Sequence, residues 1–187
     1  MTFTFTPNWL TIIRIFLIPS GVWAIFHDSS DRWQIIAFSI YFILAMTDVV
    51  DGRWARKSGK VSALGAFLDP VADKFLVCAS LLVLVHLDRA DVLVALIIIG
   101  REIAISALRE WMAQIGASRS VAVHVLGKLK TTVQMVAIPF LLYDGQLLGV
   151  IDTALWGTVL IWIAGVLTVW SMVYYLQKAW PDILDHA

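Results

Sequence analysis

Six long apolar segments, separated by short polar turns, constrain this chain more than any other feature. Each is at least about 17 residues long, the shortest length at which an α-helix crosses the hydrocarbon core of a bilayer. Hydrophobic residues make up 60% of the chain and charged residues only 15%, unlike an ordinary soluble protein. The sequence therefore predicts an all-α, polytopic membrane protein with six transmembrane helices in one domain, 1–187. The segments are 9–26, 33–50, 67–87, 92–115, 121–143 and 147–175.

The distribution of basic residues predicts how these segments are oriented. The turns near 27–32, 88–91 and 143–146 contain only Arg32 and Arg89, whereas most other lysines and arginines lie in or near the turns on the opposite side. Loops rich in Lys and Arg stay in the cytoplasm. We therefore expect both termini, including a short N-terminal segment, and the 51–62 turn to be cytoplasmic.

Four aspartates flank the 51–62 turn. Asp48 and Asp51 are three residues apart, and Asp69 and Asp73 are four apart. On a helix both spacings place two side chains on one face, so each pair can converge. Carboxylate oxygens suit Mg²⁺ or Mn²⁺, and four unneutralised carboxylates would repel one another. The pattern predicts a site for hard cations, and Pro70, acceptable in a first helical turn, predicts that the third span begins close to Asp69.

Glycines and cations lie between the two aspartate pairs. Gly52 and Gly65 have no Cβ and allow a ligand or another backbone to approach closely. Positive charge beside the carboxylates indicates a metal and diphosphate centre. The alternative is an ordinary charged loop between two membrane spans. The cations are Arg53, Arg56, Lys57 and Lys60.

A second set of cations lies within the apolar segments. Ionisable groups are costly in a membrane and usually functional, and arginine forks match phosphate oxygens. These side chains therefore predict a site for a second, anionic substrate. The alternative is that Arg101 and Glu102 neutralise their neighbours while the two lysines extend to the cytoplasmic surface. The set consists of Arg14, Arg101, Arg109, Lys128 and Lys130.

The spacing of the acidic and glycine residues resembles the signature of the CDP-alcohol phosphatidyltransferase family. The pattern is Asp48-x-x-Asp51-Gly52-x-x-Ala55-Arg56, followed by Gly65-x-x-x-Asp69-x-x-x-Asp73. The likeness covers nearly the whole chain. Segments 8–19, 65–74, 100–113 and 120–138 are similar to bacterial members that use glycerol 3-phosphate.

The resemblance implies a six-helix membrane bundle, commonly a homodimer, with its active site on the cytoplasmic side. It implies that Asp48, Asp51 and Asp69 bind two divalent cations, and that Asp73 completes the second site and acts as general base. It also implies a CDP pocket for the donor lipid. The pocket would be lined by Gly52, Ala55, Arg56, Ser62 and Gly65.

The implied reaction transfers the phosphatidyl group of CDP-diacylglycerol to sn-glycerol 3-phosphate in the bacterial cytoplasmic membrane, giving phosphatidylglycerophosphate and CMP. Assigning the acceptor to the cations of the second set rests on their charge together with this resemblance. The net charge of zero gives no indication of a nucleic-acid partner.

Three alternatives remain open at this point. The same chemistry could use another acceptor, such as serine, inositol phosphate or phosphatidylglycerol. A divalent-cation transporter would explain the carboxylates but not the glycine and arginine elements or the basic residues. A prenyl diphosphate enzyme would normally carry aspartate-rich DDxxD runs, which are absent from the sequence.

Overall fold

The computed structural model describes residues 8–27, 35–36, 38–44, 46–47, 63–117 and 125–186. They are almost entirely helical, which agrees with the all-α prediction. By its internal contacts the chain divides into two compact units, Met1–Asp88 and Arg89–Ala187, and the single domain predicted for 1–187 stays a prediction. The elements are α1 (Asn8–His27), α2 (Ala63–His86), α3 (Val92–Gln114), α4 (Val125–Tyr143), β1 (Gln146–Leu147), β2 (Ile151–Asp152) and α5 (Thr153–His186), with further helical residues at 35–36, 38–44 and 46–47.

The first unit is built on the packing of α1 along α2. Its core forms where Ile18 of α1, Leu44 and Ala79 of α2 meet. Helix α2 begins at Ala63, so the prediction that this helix starts close to Asp69 was wrong. Pro70 lies inside the helix, as Pro19 does in α1. A proline at such a position removes one backbone hydrogen bond from the helix.

The second unit is organised around α5, which packs along both α3 and α4. Helix α3 agrees closely with its predicted segment because both of its ends are capped. The Asp91 side chain accepts a hydrogen bond from the backbone N–H of Leu93. At the other end Gly116 adopts a φ of 79°, and the Ala117 N–H donates to the Met112 carbonyl. This is a Schellman motif, and it ends the helix.

A short hairpin joins α4 to α5. Strands β1 and β2 pair antiparallel, and Leu148 and Gly149 between them have φ values of 57° and 70°. The prediction that the last helical segment begins at 147 was therefore wrong. Helix α5 begins at Thr153, where the Asp152 side chain accepts from the Leu155 N–H as an N-cap, and it continues beyond 175 to His186.

One helix in the described part of the chain is long and apolar enough to cross a membrane. It covers Thr153–Leu184, with a mean hydropathy of 1.9 in its most apolar 18-residue window. Only 33% of that window is buried within the protein. Two shorter apolar helical stretches are Thr11–Trp23 and Leu129–Tyr143. The six-span topology stays a prediction.

Candidate functional site

Helix α2 carries two of the four predicted metal ligands. Asp69 and Asp73 are four residues apart on this helix and therefore share a face. The Thr11 hydroxyl of α1 donates a hydrogen bond of 2.8 Å to Asp69 Oδ1. Within the described ranges no three acidic, His or Cys side chains gather around one point, but Asp48 and Asp51 lie outside those ranges. The convergence of all four carboxylates stays a prediction.

The predicted CDP pocket lies mostly outside the described residues. Gly65 is the exception, since its backbone belongs to the first turn of α2. The structure therefore does not test whether these positions line one pocket. The pocket residues outside the described ranges are Gly52, Ala55, Arg56 and Ser62.

The second unit holds a compact cationic cluster around one aromatic ring. Arg101 and Arg109, both on α3, place their guanidinium carbons 5.8 and 5.3 Å from the centre of the Tyr175 ring on α5. Both distances are within cation–π range. Arg101 Nη2 also donates to Ser171 Oγ at 3.2 Å, and Arg109 Nη2 donates to Tyr175 Oη at 3.4 Å. Helix α5 thus fixes both guanidinium groups.

Helix α4 contributes a third cation to this cluster. Lys130 Nζ forms an ion pair and hydrogen bond with Glu102 Oε1 of α3, and Arg101 Nη1 lies 3.6 Å from the same oxygen. Lys130 is only 1% exposed. This burial contradicts the alternative that Lys130 extends to the membrane surface. Glu102, by contrast, does neutralise its neighbours in part, as that alternative supposed.

The charges and hydrogen bonds of the cluster are incompletely balanced. The cluster contains three cations, Arg101, Arg109 and Lys130, but only one carboxylate, that of Glu102, so its net charge is positive. Nε of each arginine is buried and has no hydrogen-bond acceptor among the described residues. Buried charges and buried donors are costly unless they are paired. The arrangement therefore suits an anion with several oxygen acceptors, such as a phosphate group.

A glycine on α4 makes room for the ring at the centre of the cluster. A Cβ added at Gly127 would lie 3.2 Å from Tyr175 Oη, closer than most carbon–oxygen contacts. The lack of a side chain at Gly127 lets the Tyr175 hydroxyl come close to the α4 backbone. The first turn of α4 thereby borders the same cluster as α3 and α5.

The structure brings together three of the five cations predicted for the anionic substrate, namely Arg101, Arg109 and Lys130. Arg14 lies on α1 and Lys128 on α4, but the placement of their side chains is outside what the structure describes. Their part in an anion site therefore stays a prediction.

The sequence interpretation missed Tyr175 and its polar neighbours on α5. Thr168, Ser171 and Tyr175 are buried, and their spacing of three and four residues puts them on one face. Such a polar stripe in an otherwise apolar helix is a recognisable signal for a buried polar site. Thr11 was also missed, because a single threonine near the start of an apolar helix has no comparable pattern.

An apolar groove in the second unit has a different character. It encloses about 380 Å³ between α3 and α5 and includes no charged side chain. The polar chemistry of this unit therefore belongs to the cluster around Tyr175 and not to the groove. The groove is lined by Val94, Ile97, Trp162, Gly165, Val166, Val169 and Trp170.

Comparisons with known proteins agree along the length of the chain. A family model described as CDP-alcohol phosphatidyltransferase matches residues 4–170. The chain is 43% identical over 182 residues to the CDP-diacylglycerol–glycerol-3-phosphate 3-phosphatidyltransferase of Haemophilus influenzae, covering 96% of both proteins. It is 45% identical over 182 residues to the protein of the same name from Escherichia coli, covering 96% of this chain and 97% of that protein.

Proposed function

This chain belongs to the CDP-alcohol phosphatidyltransferase family, and from that membership we propose that it is a phosphatidylglycerophosphate synthase. It transfers the phosphatidyl group of CDP-diacylglycerol to sn-glycerol 3-phosphate and releases CMP. Relatives that carry this activity in their name match nearly the full chain. The matches cover 96% and 97% of the length of the two relatives described above.

The cluster around Tyr175 is the structural observation that carries the choice of acceptor. An acceptor with a phosphate group would neutralise the excess positive charge of the cluster and accept from the buried Nε atoms of Arg101 and Arg109. Serine has no phosphate group, and its single carboxylate offers less negative charge and fewer acceptor oxygens to this cluster. We therefore assign the phosphate of glycerol 3-phosphate to Arg101, Arg109 and Lys130, with Arg14 and Lys128 as further candidates.

The donor lipid is assigned to the aspartate region. Aspartate carboxylates are hard oxygen ligands, and Asp69 and Asp73 share a face of α2, so the donor set fits Mg²⁺ or Mn²⁺. Two such cations would be held by Asp48, Asp51, Asp69 and Asp73, and when bound would supply positive charge against the diphosphate oxygens. The nucleotide would lie against Gly52, Ala55, Arg56, Ser62 and Gly65.

The chemical step is an in-line transfer to a hydroxyl oxygen. Asp73 accepts the proton of the 1-hydroxyl of glycerol 3-phosphate, and that oxygen forms a bond to the lipid-side phosphorus. The bond between this phosphorus and the bridging diphosphate oxygen breaks, and CMP leaves with the electron pair. No covalent intermediate with the protein is required.

Exposed apolar side chains of α5, several of which border the open groove beside α3, support a place in the membrane. Trp156, Trp162, Val166 and Trp170 on this helix are each 47% exposed or more. An apolar surface of this kind is stable when lipid covers it. We place the protein in the bacterial cytoplasmic membrane as a multi-pass, homodimeric enzyme with its termini and active site on the cytoplasmic side.

The test of the proposal is CMP release by the purified protein in detergent micelles containing CDP-diacylglycerol. Glycerol 3-phosphate, serine, inositol phosphate and phosphatidylglycerol are supplied separately, with Mg²⁺ or Mn²⁺. We expect rapid CMP release and a phosphatidylglycerophosphate product only with glycerol 3-phosphate. Rapid turnover with serine and none with glycerol 3-phosphate would overturn the proposed acceptor.

A pair of variants tests the role of the base. Asp73→Asn should lower kcat by about 10²-fold or more while CDP-diacylglycerol still binds, because general base catalysis typically contributes that much. Asp152→Asn is the matched control, since Asp152 is the N-cap of α5 and asparagine caps a helix as well as aspartate does. A fully active Asp73→Asn protein would exclude Asp73 as the base.

A further inference from the structure

We propose that Thr11 is a positioning residue that holds the Asp69 carboxylate in the orientation in which it binds a divalent cation. The inference rests on the proposed function, because it takes Asp69 as a metal ligand. It adds a residue of α1 to a site whose other members come from the 48–73 region. Thr11 does not contact the substrate or the cation in this proposal and acts only through Asp69.

The geometry joins two helices that are far apart in sequence. The Thr11 hydroxyl donates to Asp69 Oδ1 at 2.8 Å, and 58 residues separate the two positions. Thr11 is 5% exposed, whereas Asp69 belongs to an exposed position of α2. A buried, packed donor thus holds a carboxylate that reaches toward the surface. The bond to Oδ1 restricts the rotamers that the Asp69 side chain can adopt, and therefore the directions in which Oδ2 can point.

Other helical hydroxyl groups of this protein behave differently. Thr47, Thr131 and Thr158 each donate to the backbone carbonyl four residues earlier in their own helix. That is the usual solution for a threonine in a helix. Thr11 instead uses its hydroxyl to reach a carboxylate on a neighbouring helix. Of these four threonines, Thr11 is the one whose hydrogen bond connects its own helix to a candidate metal ligand on another helix.

Orientation of a ligand carboxylate affects metal affinity directly. Side chains that hydrogen-bond metal ligands restrict them to the binding geometry, and their removal typically weakens metal binding about 10–100-fold. Without the Thr11 hydroxyl, the exposed Asp69 side chain would sample several rotamers, and binding a cation would have to restrict it. Removal of the Thr11 hydroxyl should therefore weaken metal affinity. A high metal concentration should restore the occupied site and with it the activity.

The experiment measures Mn²⁺ binding to the full-length protein in micelles, without substrate, by electron paramagnetic resonance of the free ion. Thr11→Val removes the hydroxyl with little change in shape, Thr11→Ser keeps it, and Thr158→Val is the matched control on α5. We expect the Mn²⁺ Kd to rise about tenfold or more in Thr11→Val and to stay within about threefold of the wild type in the other two. In Thr11→Val the metal concentration that gives half-maximal CMP release should rise in parallel with the Kd. At saturating metal the kcat should be largely recovered.

The outcomes separate this inference from the proposed function. Unchanged Mn²⁺ affinity in Thr11→Val, in a protein that binds Mn²⁺ and releases CMP, would overturn the role of Thr11 alone. Equal losses in Thr11→Val and Thr11→Ser, with a lower Tm, would assign Thr11 to packing and also overturn it. A selective loss of Mn²⁺ affinity in Thr11→Val, in a protein that releases no CMP with glycerol 3-phosphate, would support the inference and overturn the proposed function. A wild-type protein that releases CMP from glycerol 3-phosphate but binds no Mn²⁺ would overturn the role of Thr11 and leave the proposed function standing.

Discussion

Lys130 on α4 and Glu102 on α3 form an ion pair in which the lysine side chain is almost completely buried. The pair links two helices that each also contact α5. Its surroundings contain two further cations, Arg101 and Arg109, so the carboxylate serves more than one partner. The pair therefore has two separable effects, one on the stability of the second unit and one on the charge available to an anionic acceptor.

A double-mutant cycle separates these effects. Lys130→Met leaves Glu102 with Arg101 as its remaining cationic partner and should cost about 1–3 kcal/mol of unfolding free energy. Glu102→Gln in the same protein should restore part of that stability, because it removes the carboxylate charge. It should not restore the KM for glycerol 3-phosphate, since the lysine that would face the phosphate is still absent.

Thermal unfolding in detergent and steady-state kinetics with glycerol 3-phosphate measure the two effects in all four proteins of the cycle. Lys130→Arg is the control that keeps the positive charge. Strictly additive losses of stability would contradict the pairing, and a normal KM in Lys130→Met would remove Lys130 from the acceptor site.

The Tyr175 ring should matter more than its hydroxyl. Tyr175→Phe loses the acceptor for Arg109 Nη2, a bond of 3.4 Å, but keeps the face on which both guanidinium groups lie. Tyr175→Leu loses both cation–π contacts, each worth roughly 0.5–2 kcal/mol. We expect the KM for glycerol 3-phosphate to rise less than about threefold in the Phe variant and about tenfold or more in the Leu variant. The second value follows because a loss of about 1.4 kcal/mol in binding free energy corresponds to a tenfold change in affinity.

The same kinetic measurement is compared with the Tm of both variants. A loss of packing alone would lower the Tm and kcat of Tyr175→Leu without a selective change in KM. Equal KM values for the Phe and Leu variants would show that the aromatic face does not orient the arginines.

The sequence predicted helices best where their ends carry local signals. Asp91 caps α3 and Gly116 ends it, so the predicted and observed boundaries nearly coincide. The start of α5 was misplaced because 147–151 is as apolar as the helix that follows. Hydrophobicity alone does not separate a hairpin from a helix, and the Asp152 cap was the local signal that marked the true start.

The charged members of the candidate site were the ones that the sequence interpretation found. Arg101, Arg109 and Lys130 stand out because charge is rare within apolar segments. Tyr175 belongs to a recognisable polar stripe with Thr168 and Ser171, but that stripe does not indicate which cations the ring contacts. Its contact with Arg109 joins positions 66 residues apart and depends on how α3 and α5 pack. No local pattern in the sequence contains that information.

Arg89 should stabilise the end of α4 opposite the cationic cluster. Its guanidinium donates to the carbonyls of Leu141 and Leu142 at 3.2 and 3.0 Å, and it lies 2.6 Å from an Asp144 carboxylate oxygen. The last carbonyls of a helix have no partner within the helix, and the fork of an arginine can serve several acceptors at once. Arg89→Ala should therefore lower the free energy of unfolding by about 1–3 kcal/mol.

Arg89→Lys keeps the charge but replaces the fork by a single ammonium group, and it should recover only part of this stability. Chemical or thermal unfolding in detergent measures both variants. Because this contact is on the opposite end of α4 from Lys130, the KM for glycerol 3-phosphate should not change. Full stability in Arg89→Ala would show that water or another group serves these carbonyls equally well.

Gly157 allows α5 to approach α4 more closely than any other residue type would. A Cβ at this position would lie 2.7 Å from Leu141 Cγ and 3.1 Å from the Leu141 backbone nitrogen. Leu141 is itself buried, so its side chain has little room to move aside. Overpacking of this kind typically costs about 1–3 kcal/mol, and we expect Gly157→Ala to lower the Tm accordingly.

Gly100→Ala on α3 provides the matched comparison for this substitution. A Cβ at Gly100 meets no atom within 4 Å, so only the helix propensity changes, and alanine is favoured over glycine there by up to about 1 kcal/mol. Gly100→Ala should therefore be as stable as the wild type or slightly more stable, while Gly157→Ala is less stable. If the two variants unfold at the same temperature, helix propensity alone accounts for the effects of both substitutions. The close approach of α4 and α5 at Gly157 would then not contribute to stability.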